Sequence, residues 1–132
     1  FTVLGDRSKH ELVNSLASVL HQRGHRILTA HLLNTNAVHG EAMLSPKEVF
    51  LRDMKWLEEC DSLVAEVSNP SAGVSFEIGY LLGIGRKKVY ILYDKNVEQN
   101  ITKMFRGNTM KNCVLVPYFS IQDIYKFVEE NF

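Results

Sequence analysis

The chain has 132 residues, 45% of them hydrophobic and 23% charged, which is enough for one ordinary core and too little for two. Fifteen basic residues balance fifteen acidic ones, so no overall field draws it to DNA, RNA or an anionic membrane, and an anionic ligand must be held by a local site. Cys60 and Cys113, the two cysteines, fit neither a disulfide framework nor a zinc pattern. No apolar run reaches the roughly eighteen residues of a membrane span, and the sequence shows no signal-peptide pattern, so a single domain over residues 1–132 is expected in the cytoplasm or nucleus.

Phe1–Leu4 reads as a short strand ending at Gly5-Asp6. Ser8 and Glu11 then stand at capping-box spacing before a helix whose Leu12, Val13, Leu16, Val19 and Leu20 share one face, with Gly24 as the left-handed stop. Arg26–Leu32 reads as a second strand, and 34–44, without periodicity, as a loop. Ser45-Pro46-Lys47-Glu48 is a second capping box, with proline at the first helical position where its missing amide costs nothing, and its helix is expected to reach Cys60. A strand over Ser62–Val67, a helix over Val74–Gly83, a strand over Lys88–Tyr93, a short helix over Ile101–Phe105, a strand over Cys113–Pro117 and a helix over Ile121–Asn131 complete the chain. This alternation predicts an α/β fold: one doubly wound, flavodoxin-like domain with a five-stranded parallel sheet, its ligand at the carboxyl ends of the strands.

Two carboxylates stand out there. Val49, Asp53 and Trp56 lie at i, i+4 and i+7, so Asp53 interrupts an apolar stripe. Burial without a partner would keep it protonated, whereas a nearby arginine would make it structural. Glu77 is expected in the first turn of its helix, where the macrodipole favours the ionised form and where a capping acid is also commonly found. Such a pair can divide the work of cleaving a glycosidic bond. Glu66, a third acid within an apolar strand, is expected to satisfy an arginine or an amide. Ser68, Asn69, Ser71, Gly73 and Ser75 surround the start of the helix, where unpaired amides favour an anion. Gly79, Gly83 and Gly85 lie inside and after a helix and suit packing and a stop better than a dinucleotide. The five histidines show no metal spacing, and His31 alone falls at a strand end; no metal is expected.

The residues from Asp53 to Asp61, then Val64-Ala65-Glu66-Val67-Ser68-Asn69-Pro70-Ser71-Ala72-Gly73-Val74-Ser75-Phe76-Glu77-Ile78-Gly79, resemble the 2'-deoxynucleoside 5'-monophosphate N-hydrolases, relatives of the nucleoside 2-deoxyribosyltransferases. Leu28-Thr29-Ala30-His31 and Met104-Phe105-Arg106-Gly107 extend the resemblance over roughly residues 26–107. It implies that Glu77 is the nucleophile toward the anomeric carbon and that Asp53 is the acid assisting the leaving base. It further implies that Ser71 binds the 5'-phosphate, that Thr102 supplies a hydroxyl from the neighbouring subunit of a homodimer, and that no cofactor is needed. Gly73, which lets the backbone approach an anion, His31 at its strand end, and Gly5 and Arg7 of the first loop are further candidate substrate contacts read from the residues themselves, around a small deoxynucleotide and no nucleic-acid polymer. Serine at 71, where the transferases carry aspartate, suits a phosphate by charge. Two departures stand against the family pattern. Gly5-Asp6-Arg7-Ser8 replaces a Gly-Ser-Ile-Arg type loop, and Tyr80 matches the transferases rather than the hydrolases. The alternatives are a deoxyribosyltransferase, in which a second base intercepts the intermediate, and a non-catalytic nucleotide-binding module.

Overall fold

A computed structural model describes residues 2–4, 9–30 and 42–132. It is an α/β structure in which β1 (Thr2–Leu4), β2 (Ser62–Glu66), β3 (Lys88–Asp94) and β4 (Cys113–Tyr118) form a parallel sheet in the order β1-β2-β3-β4. The helices are α1 (His10–Gln22), α2 (Pro46–Glu59), α3 (Ala72–Ile84), α4 (Lys103–Arg106) and α5 (Ile121–Asn131), with a 3₁₀ segment at Lys95–Asn100. None of the described helices is long and apolar enough to cross a membrane.

Successive strand residues face opposite sides, and both sides are covered. Leu63, Ala65, Val89, Ile91 and Tyr93 pack with Leu57 of α2 and with Ile78, Leu81 and Leu82 of α3. Val64, Tyr90, Leu92 and Tyr118 pack with Val13, Leu16 and Leu20 of α1 and with Ile124, Phe127 and Val128 of α5. Helix α1 ends as expected: Gly24 has φ +87°, and the amides of Gly24 and His25 close back on His21 and Leu20. Its start differs, because Lys9 is the N-cap and makes no side-chain cap; Ser8, offered for that role, lies outside the described residues.

The five-stranded expectation is corrected to four strands among the described residues. Residues 26–30 of the expected strand Arg26–Leu32 form turn and irregular structure. Ile27 and Leu28 still pack into opposite cores, so the segment is buried on two sides as a strand would be. A burial pattern specifies side-chain faces and not main-chain pairing, and here the faces are satisfied without a ladder.

Candidate active site

Helix α2 begins at the expected capping box. Ser45 Oγ accepts the Glu48 amide at 3.3 Å while Glu48 Oε2 accepts the Ser45 amide at 2.8 Å. Asp53 lies two turns further on, where the structure departs from expectation. Leu57 is the one buried residue of α2, and Phe50 and Leu51 are more than half exposed. The stripe through Asp53 therefore faces a cleft instead of the core. Asp53 Oδ1 accepts Arg52 Nε and Arg52 Nη2, both at 2.8 Å, and the Arg52 guanidinium lies 4.7 Å from the Trp56 ring centre. Asp53 is thus held in an ion pair, which corrects the expectation of an unpartnered acid in apolar surroundings: the pairing speaks for a structural role, and what remains for an acid role is its place on the cleft wall beside Glu77. Periodicity could not reveal this, because adjacent residues on a helix do not share a face.

Helix α3 starts at Ala72, two residues earlier than expected, because Ser71 caps it by accepting the Val74 amide at 3.4 Å. Glu77 is consequently its sixth residue, in the second turn, and the dipole argument for its charge weakens, since that effect fades beyond the first turn. The half-buried Glu77 and Asp53 line one cleft of about 440 Å³, together with Gly73, Phe76, Phe50 and Met54. A Cβ placed on Gly73 would meet nothing within 4 Å among the described residues, so packing against these does not require glycine on this wall.

Ser71 and Thr102 come together in a second, smaller pocket of about 130 Å³, with Asn69, Val74, Ser75 and Asn100. On α3 the residues 73, 76 and 77 line the cleft while 71, 74 and 75 line this pocket. The two sets are offset by two positions, about 200° at 3.6 residues per turn, so the helix start stands between the cavities. A ligand reaching both must cross its N-terminal end, where unpaired amides favour an anion. Thr102 caps α4, accepting the Met104 amide at 3.3 Å, and within the chain it already faces the pocket of its own Ser71.

Beneath this pocket the strand ends are tied together. Glu66, 1% exposed, accepts on Oε1 the Ser68 amide at 3.1 Å, the Ser68 hydroxyl and the Tyr118 hydroxyl at 2.8 Å. The amide partner was expected; the hydroxyls of Ser68 and Tyr118 were not. Burial, above all, pushes the Tyr118 phenol well above its ordinary pKa. Ser68 Oγ in turn accepts the Asp94 amide at 2.8 Å, and Asp94 Oδ1 caps the 3₁₀ segment by accepting the Asn96 amide at 2.9 Å. That segment is fastened by Glu98, which lies 2.7 Å from Lys95 Nζ and accepts the Tyr93 hydroxyl at 3.1 Å; first Lys95 and then Tyr93 hold its carboxyl below the ordinary range.

Of the residues singled out from sequence, Asp53, Glu77 and Gly73 share the cleft, and Ser71 and Thr102 share the adjacent pocket. Gly5, Arg7 and His31 lie outside the described residues. Arg52, Phe50 and Phe76 went unnoticed as site builders, and Ser68, singled out for the anion loop, instead bonds Glu66 and the Asp94 amide; an arginine beside the candidate acid was the available signal for Arg52.

The profile of the nucleoside 2-deoxyribosyltransferase family matches residues 3–113. A Thermofilum pendens protein named as a 2'-deoxynucleoside 5'-phosphate N-hydrolase is 40% identical over 119 residues, covering 90% of this chain and 82% of its own. The 5-hydroxymethyl-dUMP N-hydrolase of Esox lucius is 28% identical over 134 residues, covering 99% of this chain and 91% of its own. The solved structure of a Clostridium botulinum CMP N-glycosidase has the same fold, with a TM-score of 0.75 at 22% identity over 100% of both chains.

Proposed function

Because the chain belongs to the nucleoside 2-deoxyribosyltransferase family, we propose that it hydrolyses the N-glycosidic bond of 2'-deoxynucleoside 5'-monophosphates, giving free base and 2-deoxyribose 5-phosphate. The observation that carries this reading is the shared cleft of Asp53 and Glu77, set beside a pocket that presents the Ser71 and Thr102 hydroxyls. Relatives named as N-hydrolases of deoxynucleotides support the same substrate class.

In this reading Glu77 attacks the anomeric carbon as the bond to the base breaks, and the electron pair leaves with the base nitrogen. Asp53 gives that nitrogen its proton. Arg52 engages Oδ1, so Oδ2 is the oxygen from which the transfer runs. Water then attacks the same carbon, Asp53 takes back a proton, and Glu77 is released. The 5'-phosphate lies toward the end of α3, where the Ser71 and Thr102 hydroxyls and the first amides of the helix can receive it. No cofactor enters the scheme.

The order β1-β2-β3-β4 is the flavodoxin-like order without its outer strand, and we take the domain as that fold. A homodimer belongs to the proposal as well. Phe50, Leu51, Phe76 and Met104 are between 51% and 79% exposed, and Phe50, Phe76 and the cleft they flank form an apolar face suited to a second copy.

Tyr80 favours the runner-up, a transferase that passes the deoxyribosyl group to a second base, although Tyr80 also packs against the core, which explains it without chemistry. Product analysis separates the readings. Deoxynucleoside monophosphates should give free base and sugar phosphate in equal amounts. Exchange of a nucleoside's base for an added free base, with monophosphates untouched, would establish the transferase instead. No turnover of either, with binding retained, would leave a nucleotide-binding module.

A further inference from the structure

The small pocket has two walls, residues 69–75 and 100–105, and each grows from a different strand end. The first leaves β2 through Ser68. The second leaves β3 through Asp94 and the 3₁₀ segment. Among the described residues they are joined by the Val67 amide, which donates to the Leu92 carbonyl at 2.9 Å, and by the Ser68 hydroxyl, which donates to Glu66 Oε1 and accepts the Asp94 amide at 2.8 Å. Glu66 fixes the near end of this link by also accepting the Ser68 amide, and Asp94 fixes the far end by capping the segment that leads to Thr102. Ser68 is 4% exposed and Glu66 1%, and neither is among the lining residues of the cleft or the pocket.

We propose that Ser68, oriented by Glu66, is a positioning residue that sets the spacing between the Ser71 and Thr102 walls and thereby the preference for a 5'-phosphate. The inference rests on the phosphate reading of that pocket given above. Its physical basis is that a hydrogen bond between strand ends fixes the relative placement of the loops they launch. Phosphate recognition by hydroxyls and amides depends on donors held at one geometry. The catalytic pair lies on the opposite flank of α3 and on α2, so a looser pocket should cost phosphate binding and spare the chemistry on a substrate that lacks phosphate.

The test compares Ser68→Ala and Glu66→Gln with the unaltered protein on the four common deoxynucleoside monophosphates and their nucleosides, reading turnover and calorimetric affinity. Ser68→Ala should raise KM and Kd for the monophosphates about tenfold, with kcat and the nucleoside constants within about twofold, because one ordering hydrogen bond is lost. Glu66→Gln keeps an acceptor for Ser68 and should fall between the two. Tyr118→Phe removes the hydroxyl that donates to Glu66 Oε1 and lies 3.5 Å from the Ser68 hydroxyl, so it should weaken the same link and shift the phosphate preference by less than Ser68→Ala does; a larger shift would count against Ser68 as the positioning residue. Equal losses on monophosphate and nucleoside, or an unchanged ratio in Ser68→Ala, would overturn the positioning role while the hydrolase reading stands. If the unaltered protein releases no base, the hydrolase reading fails, and the affinity ratio alone still decides the role of Ser68.

Discussion

Replacing Ser71 with aspartate probes substrate choice with little risk to the fold. Ser71 caps α3 through one acceptor bond to the Val74 amide, and aspartate caps a helix as well as serine does, with a further favourable contribution from the helix dipole of about 0.3–1 kcal/mol. Stability should therefore hold or rise. The ligand meets the opposite effect. With ~5 Å between the new carboxylate and the 5'-phosphate and an effective dielectric constant of ~20, repulsion is about 3 kcal/mol per unit of phosphate charge, on the order of a hundredfold in affinity. Salt reduces this, because the pocket is open at its mouth. Steady-state assays on a deoxynucleoside monophosphate and its nucleoside should show kcat/KM for the monophosphate falling by about two orders of magnitude, with the nucleoside changed by less than about threefold. A monophosphate rate unaltered in a well-folded Ser71→Asp protein would refute the placement of phosphate beside Ser71.

Gly73→Ala should move stability and activity in opposite directions. Among the described residues a Cβ there meets nothing within 4 Å, and alanine favours helix by up to about 1 kcal/mol, so Tm should rise, while the methyl group on the cleft wall lowers turnover; a rise in both would place the substrate elsewhere. The Glu98 pKa is depressed from 4.5, so its stabilising bonds to Lys95 and Tyr93 are fully present above that value and are lost as pH falls through the depressed one. The Tm difference between the unaltered protein and Glu98→Gln should accordingly stay flat above about pH 5 and shrink below it, as thermal melts across pH would show. Mixing Thr102→Ala with Glu77→Gln tests where Thr102 acts in a homodimer. A hydroxyl used in its own chain predicts no recovery of activity, whereas recovery toward a quarter of the original rate on statistical mixing would mean that Thr102 serves the neighbouring site.

Much of the fold was legible because local signals and burial agreed. Ser45, Pro46 and Glu48 marked the start of α2, Gly24 the end of α1, and the continuous apolar run after Lys88 the strand β3, while α3 runs one residue past the expected Gly83 to Ile84, before Gly85. The segment Arg26–Leu32 misled because two-sided burial of Ile27 and Leu28 imitates a strand. Of the site, the carboxylates were visible as acids in apolar company, but their surroundings were not. Whether Asp53 met the core or Arg52 depended on how far α2 sinks against the sheet, and that is set by tertiary packing. The Glu66–Ser68–Asp94 link was hidden for a related reason: it joins residues 26 positions apart whose proximity exists only once β2 and β3 pair.

The most direct test of the account is to incubate the protein with deoxynucleoside monophosphates and measure free base and 2-deoxyribose 5-phosphate together, for the unaltered chain and for Glu77→Gln. The account predicts equimolar release of the two products and a loss of several orders of magnitude on removing the nucleophile. No release by the unaltered chain, or a Glu77→Gln protein as fast as its parent, would contradict it.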